Sequence, residues 1–201
     1  MLTIGITGGT GCGKTAFLRC IEARGGVGID CDALYYDLLR TDGALRAALT
    51  ESFGAVFCPD GSLDRKRLGT AVFSDPAQME MLNRIVFTHV RRAVETIRAR
   101  EKSAGTALLA IDAINLFQSG LAELCGTTVG VLAPEEVRLR RIMRRDGIER
   151  QYALLRIRAQ EPDGFYTARC AHILQNGEIS PEEFQIQANA LLENLIKENA
   201  T

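Results

Sequence analysis

An α/β fold, a parallel sheet flanked by helices, is the class this sequence predicts, and three observations carry it. Strand-like and helix-like segments alternate along 201 residues, the pattern that layers helices on both faces of a parallel sheet. A glycine-rich bend, Gly8-Gly9-Thr10-Gly11-Cys12-Gly13-Lys14-Thr15, separates an apolar run from a helix-like run near the start of the chain. Hydrophobic residues make up 46% of the sequence, enough for the core of one domain of this length.

The elements follow in order. Residues 2–7 read as the first strand and 14–24 as the first helix. Val27-Gly28-Ile29 is a short second strand running into Asp30-Cys31-Asp32. A long helical stretch without strands, about 33–101, is broken at Pro59-Asp60-Gly61 and Asp75-Pro76 and reads as an inserted lobe. Residues 107–111 resume the sheet and end at Asp112. Thr127 to Leu132 is the next strand, and Pro134 opens a helix reaching Arg145, with proline in its first turn. A second arginine-rich helix covers about 149–160 and stops near Pro162. His172-Ile173-Leu174 is the expected last strand, and Ser180-Pro181-Glu182-Glu183 is a capping box for the final helix. The whole chain, 1–201, is expected to form a single domain: a core of about 1–32 and 102–201, the lobe, and a lid of about 147–170.

A formal net charge of -1 gives no global electrostatic reason to expect a nucleic-acid partner. The best apolar run, Thr106 to Phe117, is interrupted by Asp112 and Asn115, so no membrane span is expected. The N-terminus carries neither a basic region nor a cleavage site, and a cytoplasmic location is expected. The six cysteines, Cys12, Cys20, Cys31, Cys58, Cys125 and Cys170, form no CxxC pair. They read as reduced, small core residues. Cys12 has a second reading: a thiol beside Lys14 and a helix N-terminus should have a lowered pKa and react readily.

Gly8-x-x-x-x-Gly13-Lys14-Thr15 fits the P-loop pattern in its strand-to-helix context. Glycines let backbone N–H groups approach phosphates closely. The helix that starts there favours an anion at its N-terminus. Lys14 can reach the β- and γ-phosphates, and the Thr15 hydroxyl can bind Mg²⁺. The expected ligand is therefore a nucleoside triphosphate, with contacts from Gly8, Gly9, Thr10, Gly11, Cys12, Gly13, Lys14, Thr15 and Ala16.

The remaining chemistry has two readings at each point. Asp30 and Asp32 stand at the carboxyl end of a strand, where open parallel sheets bind ligands. Either acid could accept a proton or hold water around Mg²⁺, and either could simply cap the next helix, with Asp32 well placed to do so. Asp112 resembles a Walker-B acid for Mg²⁺, or a strand-end turn residue; Ala113 follows where a glutamate is usual. Arg138, Arg140, Arg141, Arg144, Arg145, Arg150, Arg156 and Arg158 form either a solvated basic face or a lid that brings guanidinium groups onto the transferring phosphoryl oxygens. Arg138, Arg141 and Arg145 share one helical face.

Taken together these segments resemble the dephospho-coenzyme A kinase family over nearly the whole chain. The P-loop opening, Gly28-Ile29-Asp30-Cys31-Asp32, Leu82-Asn83, Val90-Arg91-Arg92, Leu116-Phe117 with Ser119-Gly120-Leu121, and Arg145-Asp146-Gly147 all match. The most specific stretch is Pro59-Asp60-Gly61-Ser62-Leu63-Asp64-Arg65-Lys66-Arg67-Leu68-Gly69, followed by Val72-Phe73-Ser74-Asp75-Pro76. The resemblance implies a P-loop kinase fold with a helical acceptor lobe and an arginine-rich lid. It implies phosphorylation of the ribose 3′-hydroxyl of dephospho-CoA by ATP with Mg²⁺. It also implies roles: Asp32 as base, Lys14, Arg141 and Arg145 on the transferring group, and Thr15 and Asp112 on the metal. Asn176 would join the nucleotide contacts, and Arg65, Arg91 and Arg92 the acceptor's phosphates.

The chain departs from the family at several places. Phe87-Thr88 replaces a common His-Pro, and His89, two positions on, falls on a different helical face. Gln118 replaces an acid, Tyr166-Thr167 replaces a basic pair while Arg169 remains, and Ala171-His172-Ile173-Leu174-Gln175-Asn176-Gly177 varies the last strand. A kinase for another small acceptor and a catalytically weak nucleotide sensor are the alternatives these changes leave open.

Overall fold

The computed structural model describes residues 1–73 and 75–199, so Ser74 of the lobe motif lies outside the described residues. Five parallel strands run in the order β2-β3-β1-β4-β5. They are β1 (Leu2–Thr7), β2 (Val27–Asp30), β3 (Leu108–Asp112), β4 (Thr127–Leu132) and β5 (His172–Gln175). Every residue of β1 is buried, as a central strand covered on both faces requires. Alternate residues of β3 serve the two faces. Leu108 and Ala110 pack with Phe17, Ile21, Phe184 and Leu192, while Leu109 and Ile111 pack with Val90, Val94 and Leu116. The first face is covered by α1 (Lys14–Glu22) and α9 (Pro181–Asn199), the second by α5 (Pro76–Ser103). In the capping box that starts α9, Glu183 N–H donates to Ser180 Oγ (3.1 Å) and Ser180 N–H to Glu183 Oε2 (2.8 Å).

The lobe between β2 and β3 holds α2 (Cys31–Thr41), α3 (Gly43–Phe53), α4 (Arg65–Phe73) and α5 around their own core of Leu39, Leu45, Leu49, Val56, Leu68 and Val72. One break was not marked by proline. Asp42 separates α2 from α3, its Oδ1 accepting from the N–H groups of Ala44 (2.9 Å) and Leu45 (3.1 Å). Its other oxygen meets His89 Nδ1 at 2.7 Å. Desolvation raises the Asp42 pKa, but the His89 and backbone hydrogen bonds outweigh it and leave the pKa lowered. His89 thus ties α5 to the start of α3.

After β4 come α6 (Glu135–Asp146), stopped by Gly147 at φ +64°, then α7 (Arg150–Arg158) and the short α8 (Asp163–Thr167), which the sequence pattern did not announce. Strand register decides the site. Asp30 and Asp112 are paired across β2 and β3, and Asp112 is paired with Ile6 of β1. Both acids therefore finish at the sheet edge from which the glycine loop departs. Among the described residues, no helix is long and apolar enough to cross a membrane.

Candidate active site

The loop between β1 and α1 is shaped by backbone that only glycine adopts easily. Gly8, Gly11 and Gly13 have φ of +138°, +80° and +97°. A Cβ at Gly8 would lie 2.1 Å from the Val131 carbonyl oxygen, and one at Gly13 would lie 2.1 Å from Asn176 Nδ2. Gly13 starts α1 with no side-chain cap, so the first N–H groups of the helix stay open to an anion. Lys14 Nζ is folded back over the loop, donating to the carbonyls of Gly8 (3.0 Å) and Gly9 (3.5 Å). A cavity of about 350 Å³ opens above, lined by Thr10, Gly11, Gly13, Lys14 and Thr15 on the loop side and by Asp30, Asp32 and Asp112 opposite.

Asp30 is the helix cap: its Oδ1 accepts from the N–H groups of Asp32 (2.9 Å) and Ala33 (3.0 Å). Asp32 is in the first turn of α2, its carboxylate free of that task. It is open to the cleft yet surrounded by protein, so desolvation and then the Asp30 charge raise its pKa, against Lys14. Asp112 is 7% exposed. Desolvation first, opposed by Lys14 and aided by Asp30 and Asp32, leaves its pKa raised to about 6.

The arginines of the run divide between the exposed surface and the loop. Arg140 pairs with Glu178, Arg150 with Glu136 and Arg156 with Asp146 on the exposed surface. Arg138 and Arg141 turn to the loop. Arg138 is buried and donates from Nε to the Thr10 carbonyl (2.9 Å). Arg141 donates to Gly11 O (3.3 Å), Asn176 O (3.1 Å) and Asn176 Oδ1 (3.0 Å), and lines the phosphate cavity. Arg145 also lines it, held by Asp146 at 2.7 Å. Asn176 is buried beneath the loop, its Nδ2 donating to Cys12 O at 2.7 Å. Ala16 is exposed on the first turn of α1.

The Cys12 thiol is fully buried, packed in the cluster that includes Phe17 and Val131. Desolvation raises its pKa and outweighs the attraction of Arg138 and Lys14. The expectation of a reactive thiolate is therefore wrong: proximity to positive charge had been weighed without the cost of burial. The loop uses Cys12 through its backbone carbonyl, which Asn176 holds.

A second cavity, about 230 Å³, shares Asp32 and Ile114 with the first. Tyr35 comes to it from α2, Leu82, Val86 and Phe87 from α5, and Asn115 and Ser119 from the segment after β3. Phe87 therefore faces this space. The expected acceptor arginines lie outside it. Arg65 sits over the Tyr36 ring (4.9 Å) beside a separate depression with the exposed Phe73. Arg91 is bound to Gly120 O (3.0 Å), Glu123 (2.9 Å) and Glu95 (3.1 Å). Arg92 is exposed on α5. Near the lid, Gln118 Nε2 donates to Glu161 Oε1 (3.2 Å) above a third cavity that Tyr166 lines. Burial, then Cys12, raises the Tyr166 pKa to about 12, so its phenol stays neutral. Sequence reasoning missed Gln160, which reaches Thr10 N–H at 2.7 Å. A lone glutamine between two short helices gives no signal of that contact.

Residues 2–181 match the family model described as Dephospho-CoA kinase. The chain is 37% identical over 196 residues to a Dephospho-CoA kinase of Anaeromyxobacter dehalogenans, covering 97% of this chain and 92% of the relative. It is 34% identical over 197 residues to one from Streptomyces avermitilis, covering 98% and 95%. Among solved structures, TT1252 from Thermus thermophilus superposes with a TM-score of 0.79 at 32% identity, covering 96% of this chain and 97% of that one. Dephospho-CoA kinase from Campylobacter jejuni gives a TM-score of 0.70 at 21% identity, covering 98% of each chain, a likeness of fold.

Proposed function

The chain belongs to the dephospho-CoA kinase family, and we propose that it transfers the γ-phosphate of ATP to the ribose 3′-hydroxyl of dephospho-CoA, as a cytoplasmic enzyme. The observation that carries the reading is the position of Asp32. It stands where the phosphate cavity and the second cavity join, and Asp30 has taken over the capping that would otherwise occupy it.

The reaction follows from that placement. The triphosphate lies along the N–H groups of the loop and of the start of α1. Lys14 moves off the Gly8 and Gly9 carbonyls onto the β- and γ-phosphates, where it offsets charge in the transition state. Asp32 accepts the proton of the attacking hydroxyl. The new O–P bond forms as the bond to the ADP oxygen breaks. Burial and the neighbouring Asp30 charge raise the Asp32 pKa, which makes it a better base than an ordinary carboxylate. Arg141 and Arg145, on the wall of the same cavity, face the phosphate chain.

Mg²⁺ fits the oxygens present: Thr15 and Asp112 line one cavity, and a hydroxyl with a carboxylate suits a hard cation bound mainly through phosphates. Thr15 and Asp112 would hold it, and when bound it supplies neutralisation of phosphate charge. The buried Asp112 carboxylate is a group that such a cation would stabilise in its ionised form.

The test is release of ADP with dephospho-CoA, with other nucleosides, and with no acceptor, together with phosphorus NMR of the product. Dephospho-CoA-dependent ADP release and a new 3′-monophosphate signal are expected. Faster turnover on a different acceptor would replace the substrate, and ADP release independent of any acceptor would remove the kinase reading.

A further inference from the structure

The phosphate loop is gripped at one residue from both sides. Thr10 N–H donates to Gln160 Oε1 at 2.7 Å, and the Thr10 carbonyl accepts from Arg138 Nε at 2.9 Å. Arg138 Nη2 donates to the same Gln160 oxygen at 3.1 Å, closing the ring. Arg138 belongs to α6 and Gln160 to the connection between α7 and α8, so three distant segments meet on Thr10. The contact is tight. A Cβ at Gly9 would lie 2.2 Å from Arg138 Nη2 and 3.0 Å from Gln160 Oε1. Gly9 is needed here for that approach.

We propose that Gln160 is a positioning residue for the nucleotide: it fixes Thr10 so that the N–H groups beyond it keep the curvature that phosphates require, and it does so with an uncharged acceptor. The chemistry explains why an amide stands there. Both hydrogen bonds use one side-chain oxygen, so a glutamate would make both, and would bind Arg138 more strongly. A carboxylate would also place an anion against a loop that must take a polyanion. Asp30, Asp32 and Asp112 already face the phosphate cavity. Asp163 already stands 3.9 Å from Arg138 Nη1. Glutamine supplies the acceptor without adding to that charge.

The inference rests on the loop being a phosphate site and is independent of which acceptor is used. The experiment is calorimetric titration of wild type, Gln160→Met and Gln160→Glu with ATP, ADP and adenosine in the absence of acceptor, paired with hydrogen exchange at the Thr10 amide. Gln160→Met should weaken ATP and ADP about fivefold to tenfold, what one hydrogen bond contributes, leave adenosine unchanged, and speed exchange at Thr10. Gln160→Glu should restore slow exchange at Thr10 yet weaken ATP more than ADP, with the extra loss fading at high salt. It keeps both contacts, so it remains informative if Gln160→Met folds poorly. In turnover assays the ATP KM should rise while the acceptor KM stays put. ATP affinities within twofold of wild type in both variants would overturn the proposal. So would equal losses for ATP and adenosine, which mark a general disturbance. A wild type that bound no ATP would overturn the phosphate reading together with it, whereas inactivity towards dephospho-CoA would leave this result standing.

Discussion

The phosphate cavity and the cavity beside it share Asp32 and Ile114 but are built in opposite ways. One side is a local object. Consecutive residues Gly8 to Thr15 set its backbone, three glycines supply the positive φ angles, and Arg138 and Asn176 hold it from behind. The other side is composite, assembled from α2, α5 and the segment after β3. A local loop tolerates little change, because each residue supplies a distinct backbone angle or charge. A composite wall can absorb substitutions such as Phe87, since its volume rather than one dihedral defines it. The departures from the family pattern fall on the composite side, on the lid and on β5, while residues Gly8 to Thr15 of the loop itself are intact.

The largest effect should come from the local side. Lys14→Ala is expected to reduce turnover about 10³-fold or more, since it removes the charge proposed to act on the transferring phosphoryl group, while circular dichroism and melting stay close to wild type. A folded variant with near-normal turnover would show that catalysis lies elsewhere. Asp112→Asn should come next and act in two directions. The Asp112 pKa is raised to about 6 in the fold. Its stabilising contribution is therefore full below the unfolded value near 4 and is lost as pH rises through 6. Removing the charge should make the empty protein more stable at neutral pH by about 1–3 kcal/mol, with the gain vanishing near pH 4. Turnover should fall about 10–100-fold, partly recovered by excess Mg²⁺. Equal melting of the two proteins at neutral pH would show that the buried carboxylate carries no such cost.

Much of this was legible in the residues, for reasons that differ by element. The capping box at Ser180 and Glu183, the break at Asp75-Pro76 and the P-loop are local codes, and each reads directly from adjacent side chains. The break at Asp42 was missed although its cap is a local code, Asp42 Oδ1 accepting from the N–H groups of Ala44 and Leu45; only the tie from its other oxygen to His89 is tertiary. The choice between Asp30 and Asp32 as cap depended on where β2 ends, a shift of one or two residues that periodicity does not fix. Shared facing of Arg138, Arg141 and Arg145 was visible, but which of them meets the loop depends on how α6 docks. Gln160 was invisible, being a tertiary contact with no pattern around it. Cys12 failed for another reason: its charged neighbours are adjacent in sequence, whereas its burial is a property of the whole core.

Two smaller effects sharpen the contrast. Phe87→His on the composite side should raise kcat/KM for dephospho-CoA a few-fold, about 1 kcal/mol or less of added acceptor binding, with ATP affinity unchanged. No gain, or a loss with lower stability, would mean that Phe87 now serves as packing. On the local side, alkylation of the native protein should spare Cys12 and label the half-buried Cys58, Cys125 and Cys170 first, with or without ATP. Mass spectrometry of the labelled peptides reads this directly. Early labelling of Cys12 with protection by ATP would contradict its burial.

The division of labour between Asp30 and Asp32 is the centre of the account, and the comparison of Asp30→Asn with Asp32→Asn in single-turnover phosphoryl transfer tests it most directly. Asparagine caps a helix as well as aspartate does, so Asp30→Asn should keep the start of α2 and stay within several-fold of wild type. Asp32→Asn keeps the shape and removes the proposed proton acceptor, so transfer should fall about 10²–10⁴-fold with ATP affinity nearly unchanged. Rapid transfer in Asp32→Asn, or a larger loss in Asp30→Asn, would contradict the assignment of cap and base.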